Sequence, residues 1–257
     1  MRKIFFLACL ISLYSCAQDK KRKLVWSDEF NYTGLPDSTK WTAEVGGHGW
    51  GNNELQYYTA GRKENARVEN GMLTIEARKE NREGNNYTSA RLITKHKGDW
   101  QYGKIEVKAK LPKGLGTWPA IWMLGSPTPL KWPDDGEIDI MEHVGYNQGF
   151  VHASVHTKKF NHVIGTQKTD TIEVKDCSEN FHLYSVEWNK DSVRVAVDGN
   201  FYFHFANEHS GYEAWPFDNK MHLLLNIAVG GNWGGQKGVD STIWPQRMEI
   251  DYVRVYQ

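Results

Sequence analysis

Three acids, Glu137, Asp139 and Glu142, lie within the decapeptide GEIDIMEHVG, Gly136 to Gly145. Glu137 and Asp139 are two apart, so on a β-strand they share a face while Ile138 and Ile140 fill the other. Glu142 is three further on, and on a regular strand it would point away. A β-bulge at or near Met141 returns it to the first face and lines three carboxyl groups along one wall. Like charges this close resist ionising, a cost that folds bear mostly where it is used. The plainer alternative is three solvated acids on an open sheet face. Two carboxyl groups across a sugar perform glycoside hydrolysis: one, ionised, attacks the anomeric carbon, and the other donates a proton to the leaving oxygen, then activates water. Same-face neighbours on a strand lie about 7 Å apart. Two long Glu side chains can converge from further apart to the roughly 5–5.5 Å of a retaining pair. Asp139 is too short to compete for the sugar but suits orienting the nucleophile. Its negative neighbours should keep Glu142 protonated as the acid.

Such a wall needs a sheet to carry it. The runs 73–78, 104–111, 137–141, 151–156, 183–188, 192–199 and 251–257 show period-two alternation or β-branched enrichment. No long helix is evident, and there are no repeats. Many strands with turn signals, and no strand–helix alternation, predict an all-β antiparallel sandwich. The runs LVWSDEF (24–30) and IDYVRVYQ (250–257) both read as strands that pair and close the domain. Asp198-Gly199-Asn200, between SVRVAV and FYFHF, predicts a hairpin.

The 257 residues, 40% hydrophobic with 31 basic and 31 acidic side chains, fit one large domain able to bury its own core. Eleven tryptophans exceed what a core needs and suit a cleft for sugar rings, although a β-rich core would also use them. The opening MRKIFFLACLISLYSC has a short basic start and an apolar run too short to span a membrane. LYSC (13–16) resembles a lipobox, which would make Cys16 the lipidated residue. An ordinary signal peptide cut nearby is the alternative. The expected division is a lipoprotein-type signal peptide over 1–16, a polar tether over 17–23 and a catalytic domain over 24–257. Removing residues 1–15 takes Arg2 and Lys3, leaving 29 basic against 31 acidic side chains, a net charge of −2. Nothing points to nucleic acid. Contact with a membrane is expected only through the lipid, on an exported protein at the outer membrane or cell surface, or else periplasmic or extracellular. Cys177 is the one cysteine of the domain, so no internal disulfide forms, and an inert thiol is expected.

The ExDxxE run, with GWGNNELQYYT (49–59), TSARLITK (88–95), GTWPAIWMLG (116–125), VHASVHTKKFNHVIGTQ (151–167), LLLNIAVGGNWGG (223–235) and WPQRMEIDYVRVYQ (244–257), resembles glycoside hydrolase family 16. The likeness is to its bacterial laminarinases, endo-β-1,3-glucanases, over essentially residues 24–257. It implies a β-jelly roll of two curved antiparallel sheets with a concave substrate cleft, and retention through a covalent glycosyl-enzyme intermediate. Matched to the motif, Glu137 is the nucleophile, Asp139 its assistant and Glu142 the acid/base.

The resemblance also places Trp118 and Trp122 at or near the catalytic subsite, with Trp122 alternatively in the core. Trp233, among glycines, reads as an exposed platform. Asn53, Glu54, Gln56 and Arg91 offer partners for sugar hydroxyls, although Asn52–Asn53 could equally be a turn. His156 could orient an acid or bind the next sugar, or be a satisfied wall residue. No cofactor is expected for catalysis. The family further implies a structural Ca²⁺ on the convex face, at Glu29, Gly71 and Asp251, largely through backbone oxygens. A monomer is expected. Three functions compete: a β-1,3-glucanase, a hydrolase of mixed-linkage β-1,3/1,4-glucan or a marine galactan, and a non-catalytic β-glucan-binding protein. The last typically lacks one or both catalytic Glu, and here both are present.

Overall fold

A computed structural model describes residues 22–257; Cys16, the expected leader and residues 17–21 lie outside the described residues. The chain opens with β1 (Leu24–Asp28), β2 (Thr42–Ala43), β3 (Gln56–Tyr58), β4 (Ala66–Glu69), β5 (Met72–Arg82) and β6 (Asn85–Ser89). Next come β7 (Arg91–Ile93), β8 (Asp99–Trp100), β9 (Gly103–Lys110), β10 (Thr117–Gly125), β11 (Glu137–His143) and β12 (Phe150–His156). The last six are β13 (Lys168–Glu173), β14 (His182–Trp188), β15 (Ser192–Val197), β16 (Asn200–Ala206), β17 (Met221–Val229) and β18 (Gln246–Tyr256). The only helical pieces among the described residues are two single 3₁₀ turns, Gly145–Asn147 and His162–Ile164.

The strands form two sheets, the two-layer sandwich that the patterning predicts and the jelly roll that the resemblance implies. One runs β16-β15-β14-β9-β18-β5-β6-β3, with β1 on β18 and β4 on β5. The other runs β13-β12-β11-β10-β17-β7-β2, with β8 on β17. Inward side chains of both make one core. In β9, Ile105, Val107 and Ala109 alternate inward from half-buried lysines and Glu106, the period-two signature of a one-sided strand. β17 is buried along its whole length, because it is central and its outer face floors the cleft. Each strand read from the sequence overlaps an observed one, although the runs 24–30, 104–111, 192–199 and 251–257 end one or two residues beyond β1, β9, β15 and β18. The chain ends pair as expected, with Asp28 opposite Val253. The 198–200 hairpin is also present, with Asp198 and Gly199 both at positive φ, 50° and 81°, as a type I′ turn needs.

One pairing departs from the antiparallel expectation: β3 runs parallel to β6, with Gln56 opposite Tyr87. Alternation along a strand tells which side chains face inward, not the direction of its neighbour.

The irregularity that positions the acids lies in β11. Against β12, Asp139 pairs with Ser154 and Glu142 with His152, so Ile140 and Met141 together face Ala153. Against β10, Met141 still pairs with Ile121 and Asp139 with Trp122, so the extra residue is Ile140 rather than Met141. Both are fully buried. Two consecutive apolar side chains enter the core, and Glu142 returns to the face of Glu137 and Asp139.

Candidate active site

The outer face of the eight-stranded sheet holds a cleft of ≈ 820 Å³. Glu137, Asp139 and Glu142 all line it, with Trp118 and Trp122 from β10, His156 from β12, Arg91 from β7, and Glu54 and Trp233 from loops. The size is that of a site for several small rings.

Each glutamate accepts a hydrogen bond from an indole: Trp132 Nε1 donates to Glu137 Oε2 at 2.7 Å, and Trp118 Nε1 to Glu142 Oε1 at 3.0 Å. His156 Nε2 stands 3.3 Å from Asp139 Oδ2 and 3.8 Å from Glu137 Oε1. Burial, then the charge of Asp139, pushes the Glu137 carboxyl up to about 8. Burial, then the charge of Glu137, pushes Glu142 up to about 7. Asp139, 2% exposed, is raised well above the usual carboxyl range by burial and by Glu142. The three therefore cannot all ionise at neutral pH. The two glutamates stand in the reverse order to that expected of a nucleophile and an acid. The hydrogen bonds decide between them. A protonated Asp139 can donate to Glu137, which then has two donors, that hydroxyl and the Trp132 indole. Glu142 has one. Glu137 is thus the better supported carboxylate.

On one side of the acids the wall is bound tightly together. The Arg91 guanidinium lies between the rings of Trp50 and Trp122, 4.7 and 4.8 Å from their centroids, and pairs with Glu44 at 2.5 Å. Trp122 Nε1 donates to Asn226 Oδ1 at 2.7 Å. Glu54 accepts from Gln56 at 2.6 Å, Tyr58 at 3.3 Å and Asn52 at 3.4 Å. Trp233 is half-buried, edge-on to Trp118 and His152 with centroids 5.6 and 5.0 Å away. Gly234 permits this packing, since a Cβ there would stand 2.8 Å from Trp118 Cβ.

Asn53 does not line the cleft. Its backbone is left-handed, φ 54°, and its exposed side chain donates to Asn232 at 2.8 Å. Asn52 lines the cleft instead, so the turn reading of Asn52–Asn53 describes the local backbone. The sequence reading missed Trp132, Trp50, His162 and Asn226. Trp132 stands five residues before Glu137, in the β10–β11 loop that returns beside the acids. That nearness was its only signal. Cys177 is buried, and burial raises its thiol, as an inert role requires.

The three positions implied for calcium come together at the backbone level. Pairing of β18 with β5 ends at Ile250–Leu73, and pairing with β1 begins at Val253–Asp28. Asp251 and Tyr252 are left between the two, next to Gly71 and Glu29. Both carboxylates there already hold cations: Glu29 pairs with Arg254 at 2.8 Å and Asp251 with Lys108 at 2.8 Å. The residues fit a cation only through backbone oxygens.

An all-β cleft crossed by a bulged strand that presents three carboxyl groups defines a carbohydrate-cleaving class of site. A profile of the Glycosyl hydrolases family 16 matches residues 53–254, and the chain belongs to that family. It is 52% identical to a β-glucanase of Rhodothermus marinus, over 100% of this chain and 94% of that protein. The crystal structure of the laminarinase from Rhodothermus marinus superposes with a TM-score of 0.90 at 54% identity, covering 92% of this chain and 97% of that one. SCLam, a non-specific endo-β-1,3(4)-glucanase of the same family, gives 0.89 at 51%, covering 93% and 92%.

Proposed function

We propose that the protein is a retaining endo-β-1,3-glucanase acting on laminarin-type β-glucan. The observation that carries this is the bulge at Ile140–Met141, which sets Glu137, Asp139 and Glu142 on one wall of an open, indole-lined cleft. Glu137 attacks the anomeric carbon, and Glu142 gives its proton to the glycosidic oxygen as that C–O bond breaks. Glu142, now ionised, takes a proton from water. The water oxygen then attacks the same carbon, breaking the ester bond and freeing Glu137. Asp139 keeps its proton toward Glu137 and orients it. Trp118, Trp122 and Trp233 offer flat faces to the C–H faces of sugar rings, and Glu54, Arg91 and His156 offer partners to hydroxyls. The likeness to SCLam supports a second activity on mixed β-1,3/1,4-glucan.

Incubation with laminarin, lichenan, agarose and carrageenan tests the reading. Reducing ends are expected from laminarin first and lichenan second. None from laminarin rejects the assignment, and release from agarose or carrageenan alone moves it to a galactan. Export with a lipid on Cys16 is part of the same proposal. Palmitate labelling of the expressed protein should mark it, and an unlabelled mature protein would leave a soluble secreted form. A monomer is proposed, read out by its mass in solution. Ca²⁺ held by backbone oxygens at Glu29, Gly71 and Asp251 should raise the Tm, and a Tm indifferent to Ca²⁺ rejects that site.

A further inference from the structure

His156 is 6% exposed, its Nδ1 has no hydrogen-bond partner, and its Nε2 turns toward two acids. Asp139 is 2% exposed, and its Oδ2 likewise has no hydrogen-bond partner. One ligand atom from each of Glu137, Asp139 and His156 falls within 4.8 Å of the others. Tetrahedral Zn²⁺ with bonds of about 2.0–2.1 Å needs ligand atoms about 3.3–3.4 Å apart. The His156–Asp139 edge is already 3.3 Å and the His156–Glu137 edge 3.8 Å. The Glu137–Asp139 edge is within 4.8 Å, and rotation of the long Glu137 side chain shortens both of its edges. The fourth position opens on the cleft, where water can complete the shell.

The geometry points to an inhibitory site for a borderline-soft divalent cation, Zn²⁺ as the type case, built from Glu137, Asp139 and His156. Two carboxylates and a neutral imidazole balance the charge of the ion and give it the N/O set that zinc accepts. Mg²⁺ and Ca²⁺ prefer oxygen shells of six or more and are poorly served by three ligands that include an imidazole. The bound ion occupies the oxygens of the proposed nucleophile and its assistant, so it excludes sugar from the reacting position. The inference rests on the two-acid reading for its inhibitory consequence, but the binding geometry stands apart from catalysis.

The test has two arms on the purified chain. In the first, laminarin hydrolysis is followed against added Zn²⁺, Mg²⁺ or Ca²⁺. Zn²⁺ should inhibit in competition with laminarin and be reversed by a chelator, while Mg²⁺ should not inhibit. The second arm needs no activity: Co²⁺ added to the metal-free protein should give the intense visible absorption of a four-coordinate ion, and Zn²⁺ should abolish it. His156→Gln should weaken both effects at least about tenfold, since even the loss of an outer partner of a metal ligand costs that much. Asp139→Asn replaces it should the first variant fail to fold. Zn²⁺ without effect at millimolar concentration, or inhibition and absorption unchanged in the variant, overturns the proposal. If laminarin is not cleaved at all, the glucanase reading fails while the Co²⁺ arm still decides the metal site.

Discussion

The cleft has two unlike halves. On the Arg91 side, β7, β17 and β10 with the 48–56 loop form a continuous polar network. Arg91 is stacked between two indoles, Trp122 is tied to Asn226, and Asn226 in turn donates to Tyr58 at 3.1 Å. On the His156 side, the wall is made by β12, the edge strand β13 and the His162–Ile164 turn. β13 is exposed along nearly its whole length, and Val163 is 70% exposed. Trp132, itself 39% exposed, touches His162 and His156 through ring contacts at 5.1 and 6.1 Å. The first half is preorganised, its side chains held in place by one another. The second offers exposed surfaces that a polymer can use in more than one way. Orientation of the substrate should therefore be set by the Arg91 half, and tolerance of chain and linkage by the His156 half.

The largest effects belong to neither half but to the wall between them. Glu137→Ser should lower kcat on the order of 10⁴-fold or more while oligosaccharide binding survives in calorimetry. Activity within tenfold of the parent would assign the nucleophile elsewhere. Glu142→Gln should cost roughly 10²–10⁴-fold in kcat, and the alkaline limb of kcat/KM in the parent should have its midpoint near about 7, the value to which burial and Glu137 raise Glu142. The same shift affects stability. A carboxyl whose folded pKa is raised stabilises fully below its unfolded value and loses that contribution as pH rises through the folded one. The parent should therefore lose Tm between about 4.5 and about 7, the ordinary and raised values of Glu142, and Asp139→Asn should flatten that fall. A Tm that rises over this window would contradict the buried, proton-sharing wall.

The next predictions separate the halves. Arg91→Ala leaves Glu44 and two indole faces without their cation, so kcat/KM should fall about 10²-fold for every glucan, an effect of ~2.7 kcal/mol, and Tm should fall with it. Trp132→Ala keeps that network but removes the indole that donates to Glu137, so kcat should fall on both glucans while the change in KM differs between laminarin and lichenan. An equal change in KM on both would erase the distinction drawn between the two sides. Smallest, Val163→Ser should change stability by no more than about 0.5 kcal/mol and shift only the product lengths seen by chromatography.

The same contrast explains what could be read from residues alone. Alternation and turn chemistry gave the strands, the terminal pairing and the Asp198-Gly199 hairpin, because each depends on neighbours in the chain. A break in that alternation located the bulge to within one residue. Which of Ile140 and Met141 is extra depends on the register with β10, which no local pattern encodes. The parallel β3–β6 pair was hidden for the same reason. Arg91, Glu54, Trp118, Trp122 and Trp233 were found through their motifs and do line the cleft. Asn53 sits in a left-handed turn with its side chain bound to Asn232, and its neighbour Asn52 lines the cleft. Trp132, Trp50 and Asn226 owe their places to loop return and to the meeting of distant strands, so their spacing carried little signal.

The account depends above all on Glu137 and Glu142 working as a nucleophile and an acid/base on one wall. Proton NMR of laminarin during the first turnovers, before the products mutarotate, tests this most directly. The account predicts that new reducing ends appear first as the β-anomer and only later equilibrate. Reducing ends that appear first as the α-anomer would mean inversion by water, and the bulged wall would need another explanation.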